Sequence, residues 1–309
     1  MQTRFAIAFL TASVWIASGC GTGVAKDVQT TPVEVTTPKA PSDAPVALPN
    51  DKGSLHFAVI GDFGTGEQPS VELAQQVAKF HQQFKCDLVI TVGDNLYGAE
   101  RPQDFKSKFE DLYKPLLDEG IKFHASLGNH DSREQRYYKL FNLDGKLYYS
   151  FKAPKEKVRF FVLDSTYPVP EQIEWLEKEL KGSTEPWKIA YFHHPLYSSG
   201  NRHGSDVKLR QAIEPLFIQY NVSVVFNGHD HVYERIKPQN GIAYFIVGAG
   251  GALRPGNLER NSELTAKGYD LDRSFMVVEI LGDKMYFQAI TRTGEIVDSG
   301  IVERRKTPE

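Results

Sequence analysis

Five short polar clusters hold the side chains in this 309-residue chain best suited to chemistry. They are GDFG (Gly61–Gly64), GDNLY (Gly93–Tyr97), GNHD (Gly128–Asp131), HHP (His193–Pro195) and GHDH (Gly228–His231). Their donors are aspartate, tyrosine, asparagine and histidine, a set of oxygens and imidazoles with no thiolate. Such a set suits iron, zinc or manganese, and it is too large for one tetrahedral zinc, so two metals in one pocket are expected. Each cluster alone also fits a structural role. Asp131 could cap a turn, Tyr97 could return to the core, and a single histidine after a strand is more often hydrogen-bonded structure than a ligand. Their repetition in one order argues for a shared site.

The elements that must position them can be read from the flanking residues. Each cluster follows a β-branched or aromatic run: Leu55–Ile60, Leu88–Val92, Lys122–Ser126, Lys188–Phe192 and Val222–Phe226, with a further run at Phe160–Leu163. Leu73, Val77, Phe80 and Phe84 recur at helical spacing, as do Leu209, Ile213, Leu216 and Tyr220, where Pro215 predicts a kink or a new turn. After His231 come strand-like runs at Ile242–Val247, Phe275–Ile280, Met285–Ala289 and Ile296–Val302. The expected fold class is α/β, with two packed mixed sheets flanked by helices in four layers. Ligands of α/β sheets gather beyond the carboxyl ends of strands, which would bring the five clusters together.

Taken in order, the motifs resemble those of the metallophosphoesterase superfamily, and within it the purple acid phosphatases of the small, tartrate-resistant type. The likeness runs from about Leu55 to Ile301 and includes HVYER and YFIVGAGG (Tyr244–Gly251). It implies that Asp62, Asp94, Tyr97 and His231 hold Fe(III), and that Asp94 bridges to a divalent iron, zinc or manganese ion held by Asn129, His193 and His229. It further implies that His130 and His203 bind substrate and serve catalysis, while His194 packs beside the site. Many superfamily members carry a histidine two residues after the first aspartate, where this chain has Gly64; Tyr97 supplies the replacement donor, and a phenolate favours a hard ferric ion. The implied activity is hydrolysis of small phosphate monoesters by hydroxide formed at the metal pair. A phosphodiesterase or nucleotidase using the same centre is the nearest alternative, and a non-catalytic phosphate-binding module the more distant one. His56, His81 and His124 stand off the motifs and receive structural readings, as does Cys86.

Residues 1–20 read as an export signal ending in IASGC, which resembles a lipobox with Cys20 as the lipid anchor. Residues 21–53 are rich in Pro, Thr and Ala and are expected to be a disordered linker, leaving 54–305 as the catalytic domain. These features predict a bacterial envelope protein, lipid-anchored on the periplasmic side or at the cell surface. The 36 basic and 39 acidic residues leave a net charge of -3 without long blocks, which argues against a nucleic-acid backbone as partner.

Overall fold

A computed structural model describes residues 44–306; the expected signal, Cys20 and most of the expected linker lie outside them. Thirteen strands form two sheets among the described residues. The strands are β1 (Leu55–Ile60), β2 (Leu88–Val92), β3 (Lys122–Ser126), β4 (Tyr149–Lys152), β5 (Val158–Val162), β6 (Trp187–Tyr191), β7 (Val224–Asn227), β8 (Tyr233–Ile236), β9 (Ala243–Val247), β10 (Thr265–Tyr269), β11 (Ser274–Leu281), β12 (Lys284–Thr291) and β13 (Ile296–Glu303). The first sheet has the order β13-β12-β11-β1-β2-β3, and the second β10-β8-β9-β7-β6-β5-β4. Within them β1, β2 and β3 run parallel, as do β5, β6, β7 and β9. The helices are α1 (Gln68–Phe84), the short α2 (Pro102–Phe105) and α3 (Lys114–Asp118), α4 (Pro170–Gly182) and α5 (Val207–Gln219).

Strand periodicity decides which layer each side chain enters. Phe160, Ile189, Tyr191, Val224 and Phe226 point into the core between the sheets, whereas the intervening Phe161, Ala190, Phe192 and Val225 join Leu176, Leu180, Ile213 and Phe217 beneath α4 and α5. Aromatic edges lock the two sheets together. Phe57 meets Phe160 and Phe226 with ring centroids 5.5 and 6.2 Å apart, and Phe245 meets Phe287 at 5.0 Å. On the far face of the first sheet, α1 packs Phe80 against Phe275. The result is the expected four-layer arrangement of two mixed sheets with helices outside.

Three expectations are corrected. The linker does not extend to residue 53: Val46 N–H donates to Ser299 Oγ at 2.8 Å, Asn50 N–H to Glu279 Oε2 at 2.7 Å, and Leu48 packs on the core. Pro215 lies inside an uninterrupted α5. Strands β4, β8 and β10 and helix α4 were not expected from periodicity. No helix among the described residues is long and apolar enough to cross a membrane.

Candidate metal centre

The parallel strands of both sheets end on the same side of the molecule, and the five polar clusters leave from those ends. Backbone bonds join the loops there. Asp62 N–H donates to Gly93 O at 2.9 Å, Tyr97 N–H to Gly64 O at 3.0 Å, and Gly228 N–H to His193 O at 2.9 Å. Space is too tight for side chains at the glycines. A Cβ on Gly128 would sit 2.2 Å from Asp94 Oδ1, and one on Gly64 would sit 1.9 Å from Asn95 O, so no histidine could replace Gly64 without moving the Asn95 loop. Asp62, Asp94 and His229 have φ of 53°, 50° and 71°, a left-handed backbone uncommon for residues other than glycine.

All of the proposed donors come together. Tyr97 Oη lies 3.3 Å from Asp62 Oδ1, 3.1 Å from Asp94 Oδ2 and 3.2 Å from His231 Nε2. On the other side, His193 Nε2 lies 3.4 Å from Asp94 Oδ1, 3.0 Å from Asn129 Oδ1 and 3.1 Å from His229 Nδ1. Asp94 therefore presents one oxygen to each group. His130 lies tilted against the Tyr97 ring, with centroids 4.8 Å apart, and donates its backbone N–H to Asp94 Oδ1 at 2.9 Å. His203 is exposed, with its ring 4.1 Å from that of His229; His194 also lies against His229, and its Nδ1 is 3.0 Å from Ser165 Oγ.

The donor chemistry fits cations. His193 Nδ1 is 3.0 Å from the Val92 carbonyl, which can only accept, so Nε2 keeps its lone pair and aims it at Asp94. Donor atoms of Asp62, Asp94 and His193 lie within 4.8 Å of one another. Without a cation every group is pushed toward its neutral form. Burial and then the Asp94 charge hold Asp62 well above the usual carboxylate range, and burial raises Asp94. Burial also lowers His193 strongly and brings His231 down to about 4, with Arg254 adding to the second shift. Burial and then the Asp62 carboxylate raise Tyr97. A positive ion on each side of Asp94 would relieve these conflicts together.

Residues 55–233 match the calcineurin-like phosphoesterase family. The chain belongs to that family. It is 26% identical to the tartrate-resistant acid phosphatase type 5 of rat, over 82% of this chain and 92% of the relative. Its fold is similar to that of purple acid phosphatase PPD1 from yellow lupin seeds, with a TM-score of 0.70 at 19% identity, covering 83% of this chain and 55% of the lupin chain. It is equally similar to GAP50, the anchor in the inner membrane complex of Plasmodium, with a TM-score of 0.70 at 20% identity over 82% and 90% of the two chains. Membership of the family makes this a metallophosphoesterase domain and implies a dinuclear metal centre.

Three residues brace this phosphoesterase site; Asp230 and Arg254 escaped sequence reasoning, and Asp131 was read only as a possible turn cap. Asp131 accepts from the N–H groups of Gly128 at 2.8 Å, Asn95 at 3.1 Å and Leu96 at 3.1 Å, tying two donor loops together; burial and then the Asp94 charge bring its carboxyl up to about 7. Asp230, between two of the proposed ligands, accepts from Ser198 Oγ at 2.6 Å and Gly204 N at 3.2 Å and so fixes the loop carrying His203. Arg254 donates its backbone N–H to His231 O at 3.0 Å, while its buried Nη1 has no hydrogen-bond partner among the described residues. The available signal was adjacency. Asp131 and Asp230 sit inside the motifs, and Arg254 follows the Gly-rich end of β9.

Proposed function

We propose that the protein is an exported acid phosphatase that hydrolyses phosphate monoesters at a dinuclear centre. The observation that carries this reading is the division of Asp94 between two donor groups, one of which includes Tyr97. In that assignment Asp62, Asp94, Tyr97 and His231 hold Fe(III), and Asp94, Asn129, His193 and His229 hold a divalent ion, of iron, zinc or manganese. Such a pair, when bound, supplies an activated water and positive charge for the reacting oxygens. The chain's own residues do the rest. His130 and His203 orient the non-bridging oxygens, and His203, in its protonated imidazolium form, gives a proton to the departing alcohol oxygen and is left as neutral imidazole. The unpartnered Nη1 of Arg254 offers a further donor to the ester anion. Export, with lipid attachment at Cys20, remains part of the proposal and rests on the sequence alone.

The fold does not decide activity, because the lupin phosphatase and the Plasmodium anchor resemble this chain equally well. The complete donor set favours catalysis over a binding module. Metal analysis and a visible spectrum test the ligand assignment, and two variants test the division of roles. Asp94→Ala is expected to lose metal and phosphatase activity together. His203→Ala should keep the metal and its spectrum while turnover falls by roughly 10²–10⁴-fold. Equal metal loss in both variants would overturn the assignment. Full metal content with no activity on any monoester or diester would favour the binding module, and faster turnover of diesters would favour the phosphodiesterase.

A further inference from the structure

Beside the donor cluster, a cavity of about 440 Å³ is lined by His203 and His229 and by His194, Asp206 and Lys208. A second cavity, of about 730 Å³, shares His194, Asp206 and Lys208 with the first and opens away from the centre between the N-terminal turns of α4 and α5. The walls change character along this path. Near the centre they are imidazole and charged, whereas the outer cavity is formed by Val169, Pro170, Ile173, Leu209 and Ala212. Val169 and Val207 remain among the exposed large apolar residues of the described surface, so two of them flank one groove.

The charged groups of the outer cavity are Glu174, Asp206 and Lys208, leaving one net negative charge. Arg202 lines the inner cavity, so over the two together the charges of Glu174, Asp206, Lys208 and Arg202 cancel, and a second phosphate or carboxylate on the substrate meets no net positive charge. Thr166, on the same wall, has a buried Oγ1 without a hydrogen-bond partner among the described residues, a neutral polar foothold beside the apolar residues of the lining. A ligand matching this gradient has an anionic head at the donor cluster and a neutral, apolar body.

Resting on the phosphatase reading above, we propose that this double cavity is the leaving-group subsite, and that the substrates are phosphate monoesters of uncharged, apolar alcohols or phenols. A second anionic group, as in nucleoside polyphosphates and sugar bisphosphates, then gains nothing from this subsite. Continuity with the donor cluster is the reason to place the ester's own body there: its oxygen leaves on the side where His203 and His194 open into the groove.

The n-alkyl phosphates from ethyl to hexyl test this below their micellar range, because their leaving alcohols have nearly equal acidity and the series reports burial of the chain alone. Each fully buried methylene is worth roughly fourfold, so partial burial should raise kcat/KM by about ten- to a hundredfold from ethyl to hexyl phosphate. Ala212→Trp, on the exposed face of α5, fills the outer cavity and should remove about tenfold from hexyl phosphate while leaving ethyl phosphate within about twofold. Ile173→Asn, by a different route, should flatten the same series. Hexylphosphonate inhibition should weaken in parallel in both variants. A flat wild-type series, or equal losses on ethyl and hexyl phosphate in Ala212→Trp, overturns the subsite and leaves the phosphatase standing. No turnover of any member of the series, or of an aryl phosphate, by metal-loaded protein overturns both.

Discussion

Strand β1 begins in one buried cluster of acid, imidazole and hydroxyl and ends in another, and their lone pairs are met in opposite ways. At its start, Glu279 accepts from the N–H groups of Asn50 at 2.7 Å and Asp51 at 2.9 Å and from Ser54 Oγ at 2.8 Å. His56 completes that cluster, with Nδ1 2.8 Å from the Phe84 carbonyl and Nε2 2.9 Å from Ser54 Oγ. At its end, Asp62 and Asp94 oppose each other's charge, and the His193 lone pair is aimed at a carboxylate. The same residue types therefore make a satisfied structural network at one end and a frustrated one at the other. A folded chain retains such frustration where a ligand resolves it, which is the physical difference between a buried polar group and a binding site.

The sharpest way to break the comparison is Asp94→Asn. An amide there keeps an oxygen for the His130 N–H and turns an N–H toward Tyr97 Oη, while removing the charge that burial disfavours. In metal-free protein at neutral pH this should raise stability by roughly 1–3 kcal/mol, as replacement of an uncompensated buried charge does. In metal-loaded protein it should lower phosphatase activity by on the order of 10³-fold or more, since a bridging carboxylate is gone. Denaturant unfolding with and without metal, beside the rate, reads both. If metal-free Asp94→Asn were less stable than the parent, the two ends of β1 would not differ as argued.

Glu279→Gln is the complementary change. Its carboxylate holds three donors, and an amide nitrogen would face at least one of them, so stability should fall by about 3 kcal/mol. Because this cluster lies at the opposite end of β1 from the donors, kcat of the folded, loaded enzyme should not change. A change in kcat with no change in unfolding midpoint would reverse the roles assigned to the two ends.

Legibility followed the same division. Strands β1 and β2 were readable to the residue because largely apolar runs stop at glycine and a polar cluster, and β3, KFHAS, because it leads through Leu127 into GNHD. The donors were readable because each lies directly behind such a stop. Strand β10, TAKGY, was not, since it is a half-exposed edge strand without alternation, and β8 is hidden because YERI follows the GHDH loop almost at once. Helix α4 carries its buried Gln172, Leu176 and Leu180 at a fourfold spacing in which the first member is polar and charged residues fill much of the rest, which masks the apolar stripe. The docking of Val46 through Asp51 was invisible because it uses backbone N–H and carbonyl groups, which no composition reports. Asp230 and Arg254 were passed over, and Asp131 was read only as a turn cap, for a related reason: their roles depend on which loops they tie, a fact of the fold.

His124 extends the comparison to a half-buried imidazole that belongs to neither cluster. It lies in β3, its ring stacks 4.0 Å from that of Phe151, and its buried Nδ1 has no hydrogen-bond partner among the described residues. Burial, aided by the Lys122 charge, brings it from the ordinary 6.5 down to about 4. The unfolded chain therefore takes up a proton first as pH falls, and stability is lost between about pH 6.5 and 4, with no further loss below the folded value. His124→Phe keeps the stacking and removes that proton. Between pH 7 and 4 the variant should lose less stability than the parent by roughly 2 kcal/mol, once the remaining water contact of the imidazole is allowed for. Chemical unfolding at the two pH values measures the difference. Parallel loss in both proteins would mean that the acid sensitivity resides in the donor cluster and not in isolated buried imidazoles. The contrast between satisfied and frustrated networks would then account for the whole pH dependence of the fold.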